Sequence, residues 1–197
     1  DLLTLHDAPG MLDNTYKIAS QLKYEGFLNN QPDDDGMLRK LPLLIQHKGI
    51  IYPHLSLATF MRSLGENSAA VEEDAYGPVI RVGRYNIPVS IKGFAHLRFN
   101  GPPHLYHSVS AVDILNGTVS EDFIRDKVVF VGSSAAGLKD LYHTVFDAQF
   151  PGVKTHAVMV ENINDGNVII DPTWSRATVF SLCVLTGIFI SLLFIFV

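Results

Sequence analysis

The sequence has 197 residues, with 15 lysines and arginines against 20 aspartates and glutamates and a formal net charge of −5. This balance, without a basic cluster, argues against a nucleic-acid-binding surface. The single cysteine, Cys183, excludes a disulfide framework and a thiolate metal site.

The N-terminal third alternates helix-like and strand-like runs. The predicted elements are, in chain order, a helix at 11–23, strands at 24–28, 38–46 and 50–51, and a helix at 53–64. A turn rich in aspartate at 31–36 separates the first two strands, and Gly65 ends the second helix.

The middle of the chain predicts a small antiparallel sheet. Residues 67–74 are acidic and poor in large apolar side chains, so they predict a loop. Three alternating runs separated by glycine predict a meander of short strands at 79–82, 85–89 and 96–99. Ser108 is the predicted cap of a helix that runs to Leu115 and stops at Gly117.

The C-terminal third supplies the remaining predicted elements. The apolar run 127–131 predicts a strand buried on both faces, and a loop of small residues follows it at 132–140. Residues 155–165 predict a helix that turns Ala157, Val160 and Ile163 inward and ends at Gly166. Residues 1–172 therefore predict a single mixed α/β domain with helices packed on a largely buried sheet.

The last stretch, residues 177–197, predicts a transmembrane helix. It contains no charged residue and no proline, and about 20 apolar residues span a bilayer core of roughly 30 Å. Asp171 and Pro172 suit the start of the helix, and Trp174 and Arg176 suit the headgroup layer. The alternative is a very apolar core helix. We assign residues 173–197 to the membrane segment and expect further sequence on both sides of the chain.

Four groups of short segments follow one another along the chain. They are residues 26–29 with 33–39 and 41–43, residues 52–58, residues 97–102 with 112–117, and residues 127–140 with 151–153 and 156–157. In this order and spacing they resemble the second CHASE family, the extracellular sensory domains associated with cyclases and histidine kinases. The chain departs from the family at Ser134, where threonine is frequent, and at Thr155, where glutamate often precedes the motif histidine.

The resemblance implies a place and a role for the chain. It implies that residues 1–172 lie outside the cytoplasm, in the periplasm or extracellular space, and that the protein is a membrane receptor. The cytoplasmic outputs of such proteins vary among cyclases, histidine kinases, Ser/Thr kinases and phosphodiesterases. Dimeric outputs are common among them, so we expect a homodimer that responds to a small-molecule or protein signal and binds no nucleic acid.

The loop 132–140 is the first candidate ligand site. Gly132 and Gly137 permit backbone conformations that direct amide N–H groups to one point, and Ser133 and Ser134 add hydroxyl groups. Such a nest can hold an anion at a helix N-terminus. No phosphate-binding lysine motif ends the loop, and a purely structural turn is the alternative.

Two further candidates lie nearby in sequence. Asp140 and His143 could share a face, with the carboxylate orienting the histidine for a ligand or a metal, or they could form a surface pair or a cap for the loop. His156 lies in the matched motif and is either a ligand contact or a buried hydrogen-bonding histidine.

Other polar groups are better explained without a site. His104 and His107 lack further zinc ligands at a suitable spacing, and Asp33, Asp34 and Asp35 do not fit a calcium loop. We therefore expect no metal, no cofactor and no catalytic residue in this chain. The leading hypothesis is a sensory input domain; the alternatives are a structural or oligomerisation ectodomain without a ligand and a membrane-tethered enzyme.

Overall fold

Helices and short strands follow one another along the chain. The structure, a computed structural model, describes residues 2–22, 24–133 and 140–196. The helices are α1 (Tyr16–Ala19), α2 (Leu55–Ser63), α3 (Ala111–Leu115), α4 (Gly152–Asn164) and α5 (Ser175–Phe196). The strands are β1 (Lys40–Pro42), β2 (Leu44–His47), β3 (Ile50–Pro53), β4 (Ala70–Asp74), β5 (Gly77–Val82), β6 (Tyr85–Pro88), β7 (Phe94–His96), β8 (Leu141–Tyr142) and β9 (Phe150–Pro151). The predicted mixed α/β class is confirmed.

The strands pair in small antiparallel sheets. β4, β5 and β6 form a three-stranded meander, while β1 pairs with β7, β2 with β3, and β8 with β9. The meander contains the predicted strands 79–82 and 85–89, but its third strand is β4 rather than a strand at 96–99. The predicted loop at 67–74 is therefore wrong from residue 70 onward. Its acidic strand forms because Val71 lies opposite Ile80 and Glu72 pairs with Arg81 at 2.6 Å.

The two predicted N-terminal elements are much shorter than expected. The helix predicted at 11–23 is reduced to α1, which buries no side chain, so little packing stabilises a longer helix. The strand predicted at 24–28 is reduced to a single bridge between Phe27 and His54. There the Phe27 N–H donates to Pro53 O at 3.0 Å, and the Leu55 N–H donates to Phe27 O at 2.9 Å.

The strand predicted at 127–131 is also wrong. The run has no regular strand pairing in the described structure, and Val128, Val129 and Val131 are exposed by 45%, 51% and 89%. Only Phe130 is half-buried, against the ring of His156 at a centroid distance of 6.0 Å. A β-branched run forms a strand only where a neighbouring strand offers its backbone, and sequence preference alone does not supply one.

The core lies between α2, α4 and the strands. Its fully buried members come from residues 38–60, 80–87 and 150–159: Leu38, Leu41, Leu43, Leu57, Phe60, Ile80, Val82, Ile87, Phe150, Val158 and Met159. α2 agrees with its prediction and is followed by Gly65 at a φ of +77°. α3 is capped by Ser110 rather than by Ser108, because the Ser110 side chain accepts from the Val112 N–H.

The inward face of α4 differs from the prediction by about one residue. Ile163 is buried as expected, but Ala157 and Val160 are only half-buried, and Val158 and Met159 occupy the core. The reason is that α4 also buries the polar side chains of Thr155, His156 and Asn162. A prediction based only on apolar residues does not include them.

Residues 175–196 form the long apolar helix α5. Among the described residues it is the one helix long and apolar enough to cross a membrane, with a mean hydropathy of 2.3 over the segment Ser175–Phe194. None of that segment is buried against the rest of the protein.

Candidate functional site

A buried polar cluster lies where the first turns of α2 and α4 meet. His54 follows β3 and caps α2, since its Nδ1 accepts the N–H of Ser56 at 3.3 Å. Both residues are completely buried. A histidine with an extended backbone can act as an N-cap because its unprotonated ring nitrogen replaces the oxygen of a usual cap residue.

Ser56 connects His54 to α4. Its Oγ lies 3.2 Å from His54 Nδ1 and 3.3 Å from His156 Nδ1, and the two imidazole ring centroids are 4.9 Å apart. Since His54 Nδ1 accepts a backbone hydrogen bond, its proton belongs on Nε2. Within the described structure that buried Nε2 has no hydrogen-bond partner. The cluster therefore contains a buried donor that a polar group could still satisfy.

Burial disfavours the charged form of both imidazoles. Desolvation, with a smaller contribution from the charge of His156, lowers the pKa of His54 to about 3. Desolvation also lowers the pKa of His156, while the negative charge of Asp140 opposes that shift. A neutral pair is expected because two imidazolium ions this close together in a buried site would repel each other.

Asp140 lies against the N-terminus of α4. The Gly152 N–H donates to Asp140 O at 2.8 Å, and the Asp140 carboxylate occupies the space where a side chain at Gly152 would begin. A glycine is therefore needed at the first residue of α4. A carboxylate at this end of a helix is stabilised by the helix dipole.

Asn30 adds a further polar contact at the start of α4. Its Nδ2 donates to Thr155 Oγ1 at 3.3 Å, and Thr155 Oγ1 donates in turn to Gly152 O at 2.6 Å. Asn30 Oδ1 is buried and has no partner in the described structure. Burial and then the charge of Asp140 raise the pKa of Tyr142, and a hydrogen bond with Asn30 opposes the rise.

The structure brings part of the predicted ligand site together. Asp140 and His156 both lie at the start of α4, and Gly132 approaches the same turn, because a Cβ on Gly132 would lie 2.6 Å from the side chain of Val153. Ser133 is half-buried. Ser134 and Gly137 lie outside the described residues. The assignment of these residues to a ligand site stays a prediction.

His143 directly follows β8. Its side chain is exposed, and its carbonyl oxygen accepts the N–H of Leu38 at 2.7 Å. Residues 141–142 between Asp140 and His143 form β8, and side chains three positions apart along a strand point to opposite faces. This geometry does not favour an orienting pair, and the assignment of Asp140 and His143 to a site stays a prediction.

Four members of the cluster were not among the predicted site residues: Asn30, His54, Ser56 and Thr155. His54 and Ser56 lie in the segment 52–58, which is one of the segments that resemble the family. That resemblance was the sequence feature that could have pointed to these two residues. Within the described residues, no three histidine, cysteine or acidic side chains are arranged to hold a metal ion.

The end of α4 is tied to Arg98, two residues beyond β7, by the side chain of Asn162. Beyond α4, the Asn167 N–H donates to Asn162 O at 2.8 Å, and Asn167 Oδ1 accepts from the Arg98 guanidinium at 3.3 Å. Val168 is buried in the core. Asn162 and Asn167 thus hold the chain after α4 against Arg98, which follows β7.

The residues between Val168 and α5 remain in contact with the domain. Ile169 forms an antiparallel bridge with His96, and the Thr173 N–H donates to Tyr76 O at 3.1 Å. We call residues 167–174 the junction. Trp174, at its end, and Arg176, in the first turn of α5, are both exposed, and their placement at a membrane interface stays a prediction.

Comparison with known proteins identifies the family. The family model described as the CHASE2 domain matches residues 8–197. No curated protein and no solved structure matches the chain. The chain belongs to the CHASE2 family of extracellular sensory domains.

Proposed function

We propose that this chain is the extracytoplasmic input domain of a membrane-anchored receptor. In this proposal residues 1–172 lie outside the cytoplasm, α5 crosses the membrane, and the signal reaches a cytoplasmic output such as a nucleotide cyclase or a histidine kinase. The mean hydropathy of α5, its lack of buried surface and the exposed Trp174 and Arg176 support its contact with membrane lipid.

The short, hydrogen-bonded junction between α4 and α5 carries the proposal. α4 ends at Asn164 and α5 begins at Ser175, and the junction is held to the domain at Asn162, His96 and Tyr76. A connection fixed in this way has little slack, so a shift of α4 moves the top of α5. Pro172 adds stiffness because its φ is fixed.

We propose that the signal acts on the first turn of α4. This turn contains His156 and lies against Asp140, at the end of the loop that begins at Gly132. The buried polar cluster around it is sensitive to small displacements, because low-dielectric hydrogen bonds are costly to leave unmade. The loop, with Gly132, Ser133, Ser134, Gly137 and Asp140, is the proposed contact for that signal.

A homodimer completes the proposed mechanism. The movement of a single helix in lipid gives a cytoplasmic domain little to detect. Two α5 helices in a dimer can instead change their position relative to each other. The family's association with cyclases and histidine kinases makes a dimeric receptor the proposed assembly.

An insertion in the junction tests this function in the full receptor. Inserting about six Gly-Ser residues after Ile170 adds flexible chain and should disconnect the output from the stimulus while the domain stays folded. The same insertion after Ser68, in the exposed segment before β4, is the matched control and should leave regulation intact. Regulated output that persists unchanged after the junction insertion would show that the junction is a passive tether.

A further inference from the structure

A cleft lined in part by Asn30 contains no residue of α4 in its described lining. It has a volume of about 860 Å³ and lies between residues 6–14, residues 25–31 and the β2–β3 hairpin. This volume is within the range of small-molecule sites in proteins. Gly132, Ser133 and Asp140, the described residues of the loop 132–140, are not among the residues that line it.

The outer wall of the cleft is fixed at one end. The Ala8 N–H donates to Gln46 O at 2.7 Å, the Gln46 N–H donates to His6 O at 2.9 Å, and His47 Nδ1 lies 2.6 Å from Ala8 O. These bonds hold the start of the segment on β2. Residues 9–14 then run across the cleft without regular structure as far as α1.

The walls combine aromatic surface with acidic groups. Phe27, Tyr52 and Phe94 are aromatic residues of the cleft. Among the described lining residues, Asp13 and Glu25 carry carboxylates, Lys92 carries an ammonium group, and His6 and His47 carry imidazoles. The Asn14 side chain donates to Glu25 Oε1 at 3.3 Å, which leaves the other carboxylate oxygen for a further donor. The described lining therefore places two carboxylates beside aromatic side chains.

Asn30 connects this cleft to the receptor mechanism. It lines the cleft, its Oδ1 is a buried acceptor without a partner in the described structure, and its Nδ2 binds Thr155 in the first turn of α4. A molecule that displaces Asn30 would therefore displace a hydrogen bond of α4 directly.

We infer that the cleft binds a small organic amine with an aromatic or similarly apolar body. The ammonium group lies at Glu25 and Asp13, where it gains charge-assisted hydrogen bonds, and the apolar body packs against Phe27 and Phe94. The inference rests on the proposed sensory function only for its biological meaning, because binding can be measured without any cytoplasmic output.

Three fluorinated probes with similar bodies test the ligand class. They are para-fluorophenethylamine, para-fluorophenethyl alcohol and para-fluorohydrocinnamate, added to the full 197-residue chain in nanodiscs of zwitterionic lipid and followed by fluorine NMR. We expect the amine to bind, the alcohol to bind about tenfold more weakly and the carboxylate not to bind, because only the amine gains the acidic partners. Backbone amide shifts should change at Gly26, Asn30 and Tyr52.

Matched substitutions locate the site. Glu25→Gln should weaken amine binding about fivefold, the size expected for a partly exposed ion pair, whereas Glu73→Gln on the exposed edge of β4 should change nothing. Carboxylate binding equal to amine binding, absence of binding by all three probes at millimolar concentration, or equal effects of the two substitutions would each overturn the inference. Any of these results would leave the junction mechanism standing, since the junction is tested separately.

Discussion

The side chain of Asn162 binds the backbone of Arg98 in both directions. Its Oδ1 accepts the Arg98 N–H at 2.8 Å, and its Nδ2 donates to Arg98 O at 2.9 Å, so the amide replaces a neighbouring strand. Asn162 is only 1% exposed. One residue of α4 thus fixes this helix to the chain beyond β7, shortly before the junction begins.

Loss of this amide should destabilise the domain. Asn162→Leu keeps a side chain of similar volume but leaves a backbone donor and acceptor of Arg98 unpaired, at a cost of about 2–4 kcal/mol in the free energy of unfolding. Asn164→Ala in the same helix is the control, because Asn164 is exposed and its side chain donates only to Asp165. Urea unfolding of both variants measures the difference; similar stabilities would contradict the role assigned to Asn162.

The histidine pair should make the domain less stable in mild acid. The folded-state pKa of His54 is about 3, well below its ordinary 6.5, so between these values the unfolded chain binds a proton that the folded chain does not. Stability is therefore fully present above about pH 6.5 and falls as the pH decreases, by up to ~1.4 kcal/mol per pH unit for each buried neutral histidine.

A pair of variants isolates this effect. His54→Leu should give a shallower loss of unfolding free energy between about pH 7 and pH 5, although its stability at pH 7 is lower because the α2 cap is lost. His104→Leu, which replaces an exposed histidine, should keep the wild-type slope. An unchanged slope in His54→Leu would mean that His54 is charged in the folded protein.

Gly26 should not tolerate a side chain. A Cβ at Gly26 would lie 2.8 Å from Leu55 Cα and 2.9 Å from Leu55 N, which are backbone atoms at the start of α2. Gly26→Ala should therefore lower the free energy of unfolding by about 1–3 kcal/mol. Gly10→Ala, where no atom lies within 4 Å, should have little effect in the same thermal or urea assay.

A reporter experiment tests the orientation of the protein in the membrane. Gly65 and Gly117 follow α2 and α3 in exposed turns, so both positions accept a fused reporter without disturbing the core. We expect a reporter that functions only outside the cytoplasm to be active at both positions. Activity of a cytoplasm-specific reporter at either position would contradict the extracytoplasmic assignment.

The sequence pattern correctly predicted the elements whose structure depends mainly on residues close together in the sequence. The helix ending at Gly65 and the apolar helix α5 follow from periodicity, a left-handed glycine and a long apolar run. The strand at 127–131 was wrong because strand formation depends on a distant partner. β4 was missed because its acidic sequence is stabilised by pairing with β5.

The candidate site was predicted only in part for a similar reason. His156 and Asp140 were named from the motif, and the structure places both at the start of α4. His54 and Asn30 join them from more than 80 residues away, as the difference in their numbers shows. Single-sequence patterns carry no information about which distant polar groups share one buried space, so these partners could not be predicted.

The central claim is that displacement of α4 reaches α5 through the junction, and Cys183 allows a direct measurement. Cys183 is the only cysteine in the sequence and is exposed on α5, so one spin label per chain reports the distance between the two helices of a dimer. Gly152→Ala supplies the displacement, because its new Cβ meets the Asp140 carboxylate at the first residue of α4.

Dipolar electron spin resonance on the labelled chain in nanodiscs should give a defined distance between the labels. Gly152→Ala should shift that distance by about 1–2 Å, the usual size of a helix displacement in switching proteins. The same substitution should produce no shift when about six Gly-Ser residues are inserted after Ile170, because the flexible segment absorbs the displacement. Transmission through the junction would be contradicted if Gly152→Ala left the distance unchanged in the chain without the insertion. An equal shift with and without the insertion would also contradict it.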